Sequence, residues 1–467
     1  MNCILIILDT LRKDHVGAYG NPWVHTPSLD SFGRQAVVFD NAFPESLPTI
    51  PVRRALATGN RTFPYTDHCD FKGDTVHTFG WRPIPEDQTT LAEVLHGHGY
   101  TTGLISDTWH LFKPSMNFHR GFDQFTWIRG QENDRYKSAG DVDEMIDGHL
   151  LSKPEFKYRQ VDLLERYFRN VRERHGEEDY FAPKVFTEAM AWVEENAGNK
   201  FFLTIDSFDP HEPWDPPEAY RELYPGAQDY AGAKIIWSLY GSVGGYAPGE
   251  LEYMRACYAG EVTMVDAWLG KFLQKVQSLG LNDSTMIVIV SDHGHQLGEH
   301  GITGKVAWGL YPELIDLVLM VQKPGIPPRR VNELVYNLEV TPTILRGLGV
   351  EWAGRICEDG QDLAPLLEDE AGWTKRSHIT VGFNHFIQAR DDQHAYITDA
   401  MREREELYDI VADPQMAHNI ARGHRKICDR MFNYVLQDAG GAEGLRAIAA
   451  LAPDAKKQAE EWYKLTE

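Results

Sequence analysis

The chemically densest stretch of the chain is VSDHGHQLGEHGITGK, residues 290–305. Asp292 and His293 stand side by side there, ahead of Gly294, where the backbone can turn sharply. A hard carboxylate beside an imidazole is a good ligand pair for a divalent ion, and the imidazole favours manganese, zinc or iron over calcium or magnesium. A turn followed by surface histidines would give the same dipeptide. A second stretch, ESLPTIPVRRALATG (45–59), places Thr49 at a helix start that runs to Gly59. A hydroxyl at a helix amino terminus sits in positive potential, and coordination to a metal would lower its pKa, so Thr49 could act as a nucleophile. Taken alone, the segment reads more simply with Thr49 as an N-cap and Pro51 in the first turn. Arg53 is either a surface helix residue or a fork that grips an oxyanion. His211, in the irregular DSFDPHEPWDPP, could be a general acid, an oxyanion contact, a ligand or an ordinary loop histidine. Thr108 and His110, in SDTWHLF, carry the same ambiguity.

These side chains must be positioned by something, and the apolar runs supply it. Residues 3–8 run apolar into Asp9, FFLTID (201–206) ends on Asp206, and TMIVIVSD (285–292) ends on Asp292. Such runs are the pattern of central parallel strands, whose carboxyl ends face the ligand crevice of an open α/β sheet. One aspartate at a strand end is an ordinary turn former; three suggest convergence. Between the strands, HTPSLDSFGRQAVVF predicts a helix with Thr26 as N-cap and Pro27 at its first position. TTLAEVLHGHGYTTGLISD predicts a capped amphipathic helix, a glycine stop at Gly99 and a further strand. The fold class is therefore α/β.

Residues from about 126 to 180 are charged and weakly periodic, an insertion of helices and loops serving as a lid, an oligomer contact or a solvated excursion. After about residue 370 short alternating runs give way to a helical stretch over 424–464, so the chain divides into a catalytic unit (1–370) and a smaller C-terminal α+β unit (371–467). Hydrophobic residues make up 42% of the 467 and charged residues 25%, ordinary for a globular protein. No stretch approaches the roughly 20 apolar residues of a membrane span. The opening MNCILIILDT lacks the basic region and cleavage site of a secretion signal. The five cysteines are scattered without paired spacing, which points to a reducing cytoplasm rather than a disulfide framework or a zinc knuckle. A formal charge of −23 argues against nucleic acid and anionic membranes as partners, while a small anionic substrate needs only local positive charge.

Together these segments resemble the sulfatases of the alkaline phosphatase superfamily, nearly end to end. ILDTLRKDHVGAYGN with HTPSLDSF is similar to the family's first metal segment, TIPVRRALATG to its Cys-x-Pro-x-Arg frame, and YAGEVTMVDAWLGKFLQKVQSLGLNDSTMIVIVSDHGHQLGEHG to its long helix and second metal segment. VTPTILRGLG and ELYDIVADPQMAHNI resemble later signposts of the family. The branch of phosphonate monoester hydrolases and phosphodiesterases is the most similar. The resemblance implies an alkaline-phosphatase-like, mostly parallel sheet flanked by helices. It implies that Asp9, Asp292 and His293 ligate one divalent ion, with Thr49 as nucleophile touching it. Arg53 would steady that nucleophile and its oxyanion, while Thr108, His110, His211 and Lys305 would contact the substrate, and His211 or Lys305 would protonate the leaving oxygen. A homo-oligomer is left open by the same likeness.

The chain departs from the family pattern in three places. Thr10 stands where a second acidic ligand is usual, which strengthens the case for manganese, zinc or iron, with calcium or magnesium as alternatives. Thr108 replaces a usual lysine. Thr49 replaces the Cys or Ser that can be oxidised to formylglycine, so no aldehyde hydrate can form, and the expected substrate shifts from sulfate toward phosphate diesters or phosphonate monoesters. Sulfate ester hydrolysis without formylglycine, or a non-catalytic binding protein, are the alternatives. A second ion would need ligands from Asp206, Asp209, His211 and His300, whose spacing does not match a two-metal site; one ion is expected.

Overall fold

The apolar runs that end in aspartate become neighbouring parallel strands. The computed structural model describes residues 1–69, 76–113 and 116–452. Its main sheet has eight strands, in the spatial order Arg329–Tyr336, Val37–Phe43, Leu319–Gln322, Thr285–Ser291, Asn2–Leu8, Phe201–Ser207, Thr101–Ser106 and Gln124–Trp127. Only Leu319–Gln322 runs antiparallel to its neighbours. Asn2–Leu8 lies at the centre and is buried at every position, which is why its sequence shows no polar alternation. Its register pairs Ile7 with Asp206 on one side and Leu8 with Ser291 on the other, so Asp9, Asp206 and Asp292 emerge at one level of one sheet edge.

Helices cover both faces. The 29-residue helix Glu250–Ser278 packs with Phe181–Glu195 and Pro27–Gly33 on one face, against Ile4, Ile6, Leu203, Ile205, Ile287 and Ile289. On the other face Thr49–Thr58, Leu91–Gly97 and Val340–Gly347 enclose Leu5, Ile7, Val288 and Val290. The helix expected over 25–39 is shorter than the sequence suggested. It spans Pro27–Gly33, its Thr26 makes no side-chain cap bond, and Val37–Phe43 is a strand. The β-branched pair Val37 and Val38 pairs with Val321 and Met320, and burial in the sheet outweighs helical continuity. The next helix forms as predicted: Thr90 Oγ1 accepts from Glu93 N (3.1 Å) and Glu93 Oε2 accepts from Thr90 N (2.8 Å), a reciprocal capping box.

The insertion carries helices Asp143–Asp147 and Pro154–Val171 around a small core of its own, with Ile146, Leu164, Tyr167 and Phe168 buried beside Phe181. A four-stranded antiparallel sheet, Ile379–Phe383, Phe386–Arg390, His394–Asp399 and Glu405–Asp409, follows near the C-terminus. Helices Arg425–Asp438 and Gly441–Ala450 pack on it; the rest of the helical stretch expected to 464 lies outside the described residues. This sheet is not isolated from the catalytic half. Leu47 N donates to Gly382 O (2.9 Å) and Gly382 N to Glu45 O (3.1 Å), so the C-terminal sheet braces the loop that delivers Thr49. Among the described residues no helix is long and apolar enough to cross a membrane. All five cysteines are free thiols.

Candidate active site

At the central sheet edge, Asp9, Asp292 and His293 are fully buried, and one ligand atom of each lies within 4.8 Å of the other two. The turn that presents His293 needs glycine next: a Cβ on Gly294 would come within 2.0 Å of Glu313 O. The His293 Nδ1–H donates to Gly294 O (3.0 Å), which leaves the Nε2 lone pair facing Asp292 Oδ2 (3.4 Å) and Asp9 Oδ1 (3.9 Å). Burial pushes the His293 imidazole down to about 4, so the ring is neutral at pH 7. Burial and the neighbouring Asp292 hold Asp9 well above the usual carboxylate range. Asp292 itself is held below that range: burial opposes its ionisation, but His293 and Arg53 outweigh it, and Oδ1 accepts from Thr10 N (2.9 Å) and His293 N (2.7 Å).

Thr49 is the first residue of its helix rather than its side-chain cap; Pro48 occupies the cap position and no side-chain cap bond forms. Its hydroxyl is instead 3.4 Å from His293 Nε2, buried at the helix amino terminus. Arg53, one turn further, is no surface residue, being 2% exposed. Its Nε and Nη2 grip Asp206 in a fork (2.8 and 2.7 Å), and Nη1 donates to Asp292 Oδ2 (2.6 Å) and to Thr49 O (3.3 Å). Nη2 also lies 3.0 Å from Asp9 Oδ2. Asp206, one of the second-ion candidates, is thus engaged as Arg53's partner. Thr108 Oγ1 donates to the same carboxylate (3.0 Å), so this threonine steadies Asp206.

Opposite this group, Lys305 Nζ donates to His211 Nε2 (2.7 Å) and lies 3.1 Å from both oxygens of Glu212. Phe208 stacks on His211 at 4.0 Å, and burial pushes that imidazole down to about 4. His110 is buried against Trp81 and Trp109, with Nε2 3.0 Å from Glu132 Oε2. The other two second-ion candidates lie apart from the cluster. Asp209 accepts from Gln131 Nε2 (2.6 Å) and Ala182 N (2.9 Å), and His300 stacks on Tyr311 at 3.8 Å near Glu313.

Two site residues were missed from the sequence. Glu212 follows His211 directly, and an acid beside a candidate histidine was the signal available for it. Glu132 reaches His110 from inside the insertion, and nothing local in RGQEND marks it.

The residues at the sheet edge fit a divalent cation. One guanidinium faces three buried carboxylates there, and the crowding that pushes the Asp9 carboxyl up is what a cation between them would relieve. Asp9 Oδ2, fully buried, makes no hydrogen bond among the described residues beyond its ion-pair contact with Arg53 Nη2. Two carboxylates, a neutral imidazole whose Nε2 lone pair faces them and an adjacent hydroxyl form a donor set for such an ion.

A mostly parallel sheet whose central strands gather acids, a histidine and a helix-borne hydroxyl at one edge is the arrangement expected of an α/β hydrolase of the alkaline phosphatase type. A model of the sulfatase family matches residues 1–350, and the chain belongs to that family. It is a hydrolase acting on ester bonds. Among characterised proteins it is similar to the multifunctional alkaline phosphatase superfamily protein PehA of Trinickia caryophylli, 26% identical over 432 residues, covering 82% of this chain and 80% of that protein. It is also similar to an arylsulfatase of Clostridium perfringens, 24% identical over 478 residues and 95% of each chain. The phosphonate monoester hydrolase of Agrobacterium radiobacter shares the fold, with a TM-score of 0.73 at 19% identity over 96% of this chain and 95% of that one.

Proposed function

We propose that this hydrolase cleaves phosphate diesters or phosphonate monoesters, with Thr49 as nucleophile at a site for one divalent ion. The observation that carries the proposal is the Thr49 hydroxyl, buried at a helix amino terminus and 3.4 Å from His293 Nε2, beside Asp9 and Asp292. Asp9, Asp292 and His293 would hold the ion, with Thr49 Oγ1 alongside. When bound, it would act as a Lewis acid and lower the pKa of a coordinated hydroxyl. Arg53 fixes the carboxylates and, through Thr49 O, the first turn of the nucleophile helix. Thr49 Oγ1 gives up its proton to solvent and attacks phosphorus, the bond to the leaving oxygen breaks, and Lys305 or His211 protonates that oxygen. Water then attacks phosphorus and restores the hydroxyl. A threonyl sulfate cannot collapse to an aldehyde, so the carbon–oxygen cleavage open to a formylglycine ester is closed to it, and this supports phosphorus over sulfur.

A sulfate-ester reading is favoured by the relatives, several of them sulfatases, among them the arylsulfatase 24% identical along 95% of both chains. A panel of aryl phosphodiesters, phosphonate monoesters and sulfates separates the two. Phosphorus esters are expected to be preferred, and a preference for sulfate of more than about tenfold, or about 1.4 kcal/mol in transition-state stabilisation, would overturn the first reading. Thr49→Ala is expected to abolish turnover of every ester; unchanged rates would remove Thr49 from the chemistry. The division into units 1–370 and 371–467 remains part of this proposal, with the second bracing the Thr49 loop.

A further inference from the structure

Facing the carboxylate cluster is a buried acid to which no role has yet been given. Glu212 is completely buried, in an irregular loop, and its carboxylate gathers neighbours from three segments. Lys305 Nζ sits 3.1 Å from each oxygen, the Tyr240 hydroxyl donates to Oε1, and His295 Nδ1 lies 3.4 Å from Oε2. The backbone of the same residue acts as well. His211 Nδ1–H donates to Glu212 O (2.7 Å), which fixes the tautomer with its lone pair on Nε2. That lone pair accepts from Lys305 at 2.7 Å. In this arrangement His211 has no proton on Nε2 to give away, whereas the ammonium does.

We propose that Glu212 is the positioning residue of the leaving-group acid: its carboxylate holds the Lys305 ammonium in place and its carbonyl makes His211 the acceptor that orients it, so Lys305 protonates the leaving oxygen. The inference rests on the ester-hydrolase reading above. As the phosphorus–oxygen bond breaks, a proton passes from Lys305 Nζ to the departing oxygen and an alcohol leaves. The neutral amine regains its proton when water attacks phosphorus and gives up one of its own, so no oxidant or reductant is required. A buried carboxylate between a lysine and a tyrosine also has a charge reason to be there. Without it the ammonium would stand uncompensated in a dry site.

The test is leaving-group dependence in the full-length enzyme. Departure of an alkoxide needs a proton, departure of 4-nitrophenolate hardly does, and general-acid catalysis contributes about 10²–10⁴-fold. Glu212→Gln is expected to lower kcat for methyl or ethyl leaving groups by about 10²-fold while changing 4-nitrophenyl esters less than about fivefold. Glu212→Asp, which keeps the charge, should recover part of the alkyl-ester rate. Adding Glu212→Gln to Lys305→Met should cost little beyond Lys305→Met alone, because both remove one function. An equal loss on all leaving groups, or a full additional loss in the double variant, would overturn the proposal. If wild type hydrolyses no phosphorus ester, or Thr49→Ala keeps full activity, the underlying reading fails instead. Should Glu212→Gln not fold, as judged by circular dichroism, Tyr240→Phe removes one of the bonds that hold the carboxylate and should show the same selectivity, more weakly. Equal rates for Tyr240→Phe on both ester classes would then overturn it.

Discussion

The two sides of the site are built by different means. The carboxylate side, Asp9, Asp206 and Asp292 around Arg53, stands on adjacent parallel strands whose register fixes its geometry. The Lys305 side stands on loops, and its geometry comes from the side chains themselves, with Glu212 at their centre. One side carries excess negative charge suited to a cation; the other couples an ammonium to one carboxylate. Candidate ion site and candidate proton donor are thus separated, and a defect in one should read out differently from a defect in the other.

The sharpest way to break the contrast is Asp292→Asn. It removes a candidate ligand and Arg53's partner together, so bound metal, measured by elemental analysis, should be lost and turnover should fall by about 10³-fold. Turnover at wild-type level would end the assignment of this side as the ion site. Asp206→Asn should be milder and should split the two measurements. Because Asp206 grips Arg53, metal content is expected to stay near wild type while kcat drops about 10- to 100-fold. Loss of the ion in this variant would make Asp206 a ligand after all. The smallest effect concerns the loop side and stability. His211 titrates near 4 when folded and near 6.5 when unfolded, so between those values the unfolded chain binds the extra proton. Stability should therefore fall as pH drops from about 6.5 toward about 4, and His211→Gln should make the decline in thermal midpoint shallower. An unchanged slope would mean that His211 is not held neutral in the fold.

The same contrast explains what could be read from the chain. Asp9, Asp206 and Asp292 announce themselves because a strand buried on both faces must be continuously apolar, so the first acid marks its end. The overlong helix at 25–39 failed for a related reason: Ala36, Val37 and Val38 fit a helical face as well as a buried strand, and only the partner Leu319–Gln322 decides. Arg53 was visible as a choice between surface and site, and burial resolved it. Glu212 carried only its place beside His211 as a signal and Glu132 none, since their partners are 93 residues away for Lys305 and 22 for His110, and loops carry no periodicity to project across that distance.

Thr10 has a consequence for the spacing of the carboxylate pair. Its φ of +60° is rare for a β-branched residue, a conformation that costs about 1–3 kcal/mol. From that pose its hydroxyl ties to Asp9 and its amide to Asp292, while its carbonyl accepts from Tyr258 (2.8 Å). A single residue thereby works as a caliper, setting the gap between two jaws before any ion arrives. Neither jaw can shift unless Thr10 turns, and Tyr258 locks the screw.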